Sequence, residues 1–184
     1  MLLTITTTGE PADELGYLLH KHPDKVQAFG QSFGTATVFY PESTRTRCTA
    51  ALLLEIDPVK LTRSRGTNAP DFSLAQYVND RPYAASSLLA VALGDVFSTA
   101  RKGRCEARPD LAATAIDLDI FAPAVPCRGG ADLAVQLFEP LGWTVSAEPV
   151  ALDESFPDWG DSRYVRLRLT GTMRLSEALN HLYL

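Results

Sequence analysis

Residues that carry metal, redox or nucleophilic chemistry are thin in this sequence: it has three histidines, three cysteines and two methionines. Cys48, Cys105 and Cys127 stand far apart, with no CxxC pair and no zinc-ligand spacing. An odd, scattered set of thiols is the usage of a reducing compartment, so the chain reads as cytoplasmic. Long apolar runs are missing as well. No window reaches the roughly 20 residues of a membrane span, and MLLTITTTG lacks the basic start of a secretory signal. Neither a Walker loop nor a GxGxxG fingerprint occurs. Base is not in excess: 17 Lys and Arg against 22 Asp and Glu give a formal charge of −5. That balance argues against a protein that coats nucleic acid through its phosphates.

What is present is ordinary globular material. The 184 residues suit one domain, and a chain of this size buries roughly 70% of its unfolded surface without a disulfide or metal staple. Leu2 to Thr7 alternates and is β-branched, which predicts a strand. Pro11 to His22 reads as a helix: acids crowd its start, His20 and Lys21 lie near its end, and Pro23 stops it. Leu15, Leu18, Leu19 and His22 would share its buried face. Val26 to Tyr40 gives two extended stretches broken near Ser32 to Gly34, and Thr46 to Ile56 a central strand apolar on both sides. The stretch from Lys60 to Phe72 has no hydrophobic period and reads as a loop.

Asn79 or Asp80 then caps a long helix, with Pro82 in its first turn. Ala85, Leu88, Leu89, Ala92, Leu93, Val96, Phe97 and Ala100 fit its core face, and Ser86, Ala90 and Gly94 leave room for a close neighbour. A basic turn, RKGRCEAR, precedes a half-exposed strand from Ala115 to Phe121. A helix from Gly130 to Leu141, strands at Trp143 to Val150 and Arg163 to Leu169, and a last helix from about Thr172 complete the chain. Strand, helix, hairpin, strand thus occurs in residues 2–56 and again in 116–184, around a central helical segment, 73–108. The expected fold is α+β, mainly antiparallel sheet from two related units packed against a buried central helix.

Candidate chemistry is weak wherever it is sought. His20 and His22 are two apart, so one helix cannot aim both at one metal, and ordinary helix-end histidines explain them. Asp117 and Asp119 share a strand face, as catalytic carboxylates do and as solvated acids do more often. Pro126 to Gly130 (PCRGG) before a helix offers backbone amides to a phosphate. A tight structural turn is the simpler reading, since Asp132 already occupies the favourable end of the helix. No catalytic, cofactor-binding or metal residue is assigned. A small hydrolase would need a pocket grouping a cysteine with a histidine.

The charge map says more. Glu148 to Asp161 holds five acids and no base, and Arg163 to Arg174 follows with four arginines and no acid. Tyr164, Arg166 and Arg168 alternate with Val165, Leu167 and Leu169 and so share one strand face. With Trp159 and Arg163 they have the composition of a protein interface or of an RNA-contacting sheet. A solvated face balanced by the neighbouring acids is the competing reading. Arg63, Arg65 and Asn68 in the preceding loop are the second candidate surface. The end of the chain, RLSEALNHLYL, puts Leu175, Leu179, Leu182 and Tyr183 on one face with no polar tail, which suggests a chain cut from something longer or docked on a partner.

Taken in order, MLLTITTT, ELGYLLHKHPDKVQ, FYPE, CTAALLLEIDP, YVNDRPYAASSLL, PCRGG, LFEPLGW, WGDSRY and LNHLYL resemble the amino-terminal half of the bacterial Hen-type 3′-terminal RNA ribose 2′-O-methyltransferases. The resemblance spans nearly the whole chain and implies a non-catalytic domain. In that family this half engages the bacterial polynucleotide kinase-phosphatase-ligase and switches on its RNA ligase. The methyltransferase, with S-adenosylmethionine and a divalent metal, belongs to a carboxy-terminal domain absent here. Expected partners are the kinase-phosphatase-ligase, the protein's own methyltransferase domain, and RNA indirectly or weakly. The alternative is an RNA-binding module that positions cleaved ends for methylation.

Overall fold

A computed structural model describes residues 1–63 and 82–183, without the side chains of 61–63 and 82–86. The loop candidates Arg65 and Asn68, the expected helix cap at Asn79 or Asp80, and the side chains of Arg63, Ala85 and Ser86 therefore lie outside the described residues.

Alternation of apolar and polar residues produces seven strands: β1 (Leu2–Thr7), β2 (Gln27–Gln31), β3 (Gly34–Ser43), β4 (Cys48–Ile56), β5 (Ile116–Pro126), β6 (Thr144–Ala151) and β7 (Asp161–Met173). They form one sheet in the order β2-β3-β4-β1-β5-β7-β6. Every pairing is antiparallel. In β1, Ile5 lies between Ala50 of β4 and Ile120 of β5, so the middle strand joins the two halves of the chain. Because side chains alternate across a strand, one register sends Leu3, Ile5, Val38, Leu52, Leu54, Leu118, Ile120, Leu167 and Leu169 to a single face, where all are buried. The other face carries hydroxyls, including the Thr6–Thr49 pair at 2.9 Å.

The helices are α1 (Leu15–Leu19), α2 (Pro58–Arg63), α3 (Pro82–Val96), α4 (Ser98–Arg101), α5 (Pro109–Ala113), α6 (Gly130–Phe138) and α7 (Leu175–His181). Leu15, Leu18 and Leu19 of α1, Ala92, Leu93 and Val96 of α3, Ala134 of α6, and Leu175, Ala178 and Leu179 of α7 enter one core with the apolar sheet face. Each fully buried Leu of this set contributes roughly 1.5–3 kcal/mol of transfer free energy. The expected α+β architecture is what the structure contains, but α3 is buried on one face only, with Ser87, Val91 and Asp95 exposed. The small Gly94 of α3 does admit a neighbour: a Cβ there would lie 2.7 Å from the Tyr183 ring.

Several boundaries move. The helix expected from Pro11 to His22 is a 3-10 turn at Ala12–Glu14 followed by the short α1. His20 takes the left-handed conformation, with φ of 55°. The His20 amide then donates to Tyr17 O, and the Lys21 amide to Gly16 O, which is a Schellman cap with histidine where glycine is usual. That cap leaves His22 exposed beyond the helix instead of on its buried face. The front unit pairs its strands as β1-β4-β3-β2 and the back unit as β5-β7-β6, so the back unit has no counterpart of the edge strand β2. The carboxy-terminal leucines pack inside this domain. Leu175 and Leu179 are buried, and Arg101 lies 3.7 Å over the Tyr183 ring.

Gly34 opens β3 so close to β4 that a Cβ would stand 2.0 Å from the Glu55 carbonyl oxygen, whereas Gly30 on β2 has no neighbour within 4 Å. Gly34→Ala should therefore lower stability by about 3 kcal/mol or more. Gly30→Ala should be neutral or stabilising by about 0.5–1 kcal/mol. Urea unfolding of the two variants beside the parent checks this contrast.

Candidate functional site

The β6–β7 hairpin carries the first-choice candidates, and its geometry divides them. Along β7, Val165, Leu167 and Leu169 turn into the core, which forces Tyr164, Arg166 and Arg168 onto the opposite face. Both arginines are already answered there. Arg166 Nη1 lies 3.5 Å from Glu148, its cross-strand partner on β6. Arg168 Nε donates to Asp119 at 2.9 Å and its guanidinium lies 5.7 Å from the Phe121 centroid. On this face the contacts are those of a solvated, charge-balanced sheet. Exposed ion pairs of this kind contribute about 0–1 kcal/mol each. Arg163 is exposed at the strand entrance, where its carbonyl accepts from the Cys127 amide at 2.9 Å.

Trp159 is set apart from that face. It ends a 3-10 turn, Pro157–Trp159, at the tip of the hairpin and stacks on Phe156, with ring centroids 4.7 Å apart and planes 14° from parallel. Phe156, Trp159 and the neighbouring Leu152 are 52%, 59% and 60% exposed. Backbone bonds hold the tip in shape: Leu152 N to Gly160 O, Phe156 N to Asp153 O and Trp159 N to Phe156 O. Asp153 also accepts from the Ser155 amide at 2.8 Å. Around the rings stand Asp153, Glu154, Asp158 and Asp161, none of them in an ion pair among the described residues. A stacked aromatic pair and a third exposed apolar residue, Leu152, thus belong to one ordered, acidic hairpin tip, the composition of a candidate docking surface. Phe156 and Leu152 belong to it, although the sequence read only as a run of acids there. The signal was the apolar spacing within ALDESFPDW, which no helix or strand period accommodates.

The remaining chemical candidates are placed differently. Asp117 accepts from the Thr172 hydroxyl and Asp119 from Arg168, so each carboxylate has a structural donor. His20 Nε2 lies 2.7 Å from the Arg104 carbonyl oxygen, and His22 faces Asp24 at 3.9 Å. These histidines line a groove together with Cys105, which is the grouping a small hydrolase would require. Yet the buried Cys105 thiol donates to Tyr17 O at 3.5 Å and makes no bond to either imidazole. Burial pushes the Cys48 thiol up, against nucleophilic use. Cys127 Sγ donates to Gly130 O at 3.0 Å within the tight turn before α6. Among the described residues, no three His, Cys, Asp or Glu side chains gather as metal ligands, and no helix is long and apolar enough to cross a membrane.

A family model for the RNA repair, ligase-Pnkp-associating, region of Hen1 matches residues 1–184. The chain belongs to this family. The Hen1 region so defined is the associating part of that protein. Two solved structures of a Pnkp1/Rnl/Hen1 complex, one described as an RNA repair complex, contain chains similar to this one. Each aligns with a TM-score of 0.59 at 14% identity, over 100% of this chain and 40% of the other. Likeness at that identity speaks for the fold, and this chain spans 40% of the length of the chains it matches. No match was found among curated proteins.

The tip also gives the chain an optical signature. Its two tryptophans differ sharply, Trp143 being 3% exposed and Trp159 59%. Acrylamide quenching of the free protein should resolve an accessible and a protected emitter. Trp159→Phe should leave only the protected one and an unchanged melting temperature.

Proposed function

We propose that this chain docks on the bacterial polynucleotide kinase-phosphatase-ligase and activates its RNA ligase, with the hairpin tip as the anchoring contact. The observation that carries the reading is the exposed Phe156–Trp159 stack at the hairpin tip. Stacked rings already held in their bound geometry lose little freedom on association, and aromatic anchors of this kind dominate protein interfaces. The unpaired acids around them favour a partner with a basic rim. They also oppose RNA at the tip, while Arg166 and Arg168, the arginines that suggested RNA contact, are occupied by Glu148 and Asp119. Docking therefore ranks above RNA holding by this hairpin.

Activation without catalytic residues requires that the chain bind an active arrangement of the ligase better than an inactive one. A differential of about 1–3 kcal/mol shifts the ratio of active to inactive ligase roughly 5- to 150-fold. Methylation of the RNA end, with S-adenosylmethionine and a divalent metal, is assigned to the remainder of the longer protein. That remainder is this domain's covalent neighbour.

RNA sealing by the cognate kinase-phosphatase-ligase, with and without this chain and without S-adenosylmethionine, tests the proposal. Sealing should rise when the chain is present. Phe156→Ala with Trp159→Ala should weaken the complex about 30-fold or more, equal to about 2 kcal/mol, while the fold is kept. Unchanged sealing with a competent ligase would end the activation reading. Full activation by the double variant would move the contact away from the tip.

A further inference from the structure

Two basic stretches separated by 84 residues meet beside α1. One is His20-Lys21-His22 at the Schellman cap, and the other is the connection after α4 that begins at Arg104. The short contact from His20 Nε2 to Arg104 O ties them together. Between them opens a groove of about 860 Å³, within the roughly 300–1,000 Å³ of small-molecule sites.

Among the described residues neither Lys21 nor Arg104 is in an ion pair, although Asp13, Asp24 and Glu106 line the same groove. Elsewhere Arg47 pairs with Glu42, Arg108 with Glu14 and Arg174 with Glu177. Lys21 has no ion pair among the described residues. Among the described residues its ammonium makes one hydrogen bond, to the adjacent His20 carbonyl at 3.3 Å. Its ammonium is held 5.1 Å from the Phe29 centroid and 5.8 Å from that of the buried Phe97. Burial lowers the Lys21 pKa, the mark of an ammonium taken partly out of water without a counter-ion. Arg104 is exposed, and its guanidinium bonds no acceptor among the described residues. Asp13, Asp24 and Glu106 also line the groove. Asp24 is engaged with His22, and Glu106 is exposed. A ligand that suits both sets presents an oxyanion to Lys21 and Arg104 and hydroxyl donors to the acids.

We propose that this groove is a phosphomonoester site in which Lys21 and Arg104 hold the phosphate oxygens and a hydroxyl-bearing sugar lies toward Asp24 and Glu106. A lysine fixed by two rings supplies a point charge, and an arginine supplies a fork of donors. That chemistry is shared by a free nucleotide and by the phosphorylated end of an RNA. Neither the hairpin tip nor the ligase takes part, so the site stands or falls apart from the docking proposal.

Isothermal titration of the chain with inorganic phosphate, adenosine 5′-monophosphate and adenosine is the test. The monophosphate should bind saturably and at least 10-fold more tightly than adenosine. Lys21→Met keeps an apolar stem and removes the charge, and Arg104→Gln alters an exposed side chain. Each should weaken the monophosphate at least 10-fold. If Lys21→Met fails to fold, Arg104→Gln decides alone. A short RNA with and without its 5′-phosphate separates the sources. A terminal phosphate that tightens RNA at least 10-fold beyond the mononucleotide assigns the site to RNA ends, and equal affinity assigns it to free nucleotides. Absence of saturable binding by phosphate and monophosphate, or equal binding by parent and both variants, would overturn the proposal.

Discussion

One register constraint underlies the structure: each of the inner strands must send its apolar residues to the same side of the sheet. Ile5 of β1 achieves this for both halves at once, lying between Ala50 and Ile120. A slip of one residue on either side of β1 would turn Leu52 and Leu54, or Leu118 and Leu169, away from the helices. With the register set, α1, α3, α6 and α7 share a single core. The opposite face is left to threonines, aspartates and the paired arginines of β7. A one-sided sheet of this kind concentrates the unusual surface features at its margins.

Both features of functional interest lie at such margins. The aromatic tip closes the β6–β7 hairpin, where a register shift between Pro149 and Ala151 marks irregular pairing, as one between Ala122 and Val125 does on the β5 side of β7. Bulges at a sheet margin re-aim the chain, and here they precede a turn that the core does not cover. The groove lies toward the other edge, where Lys21 reaches Phe29 of β2. Because its two walls come from residues distant in sequence, it exists only when α1 ends at His20. The histidine Schellman cap is thus a fold element with a chemical consequence: it aims Lys21 across the core edge instead of along a helix.

The period-two strands and the buried face of α3 were legible because alternation and helical spacing report burial directly. Helix ends were less so. Without a glycine after Leu19, the sequence offers no sign that His20 adopts a left-handed turn, and Pro23 looked like the terminator. The Arg/Tyr face of β7 was legible as a face, but its neutralisation was not, since Asp119 is 49 residues from Arg168. Composition also misplaced Trp159. Five acids before four arginines suggested one charged surface, whereas the turn at Pro157–Trp159 lifts the ring onto a separate tip with Phe156. The apolar carboxy-terminal helix suggested an external partner, and Gly94 with Arg101 supplies an internal one.

Hydrogen–deuterium exchange of this chain, alone and with the kinase-phosphatase-ligase, tests the central claim most directly. Exchange should slow in the amides from Leu152 to Tyr164, with β2 and the outward face of β1 and β4 unchanged. Protection confined to β2 or to that open face, with the hairpin exchanging as in the free protein, would contradict it.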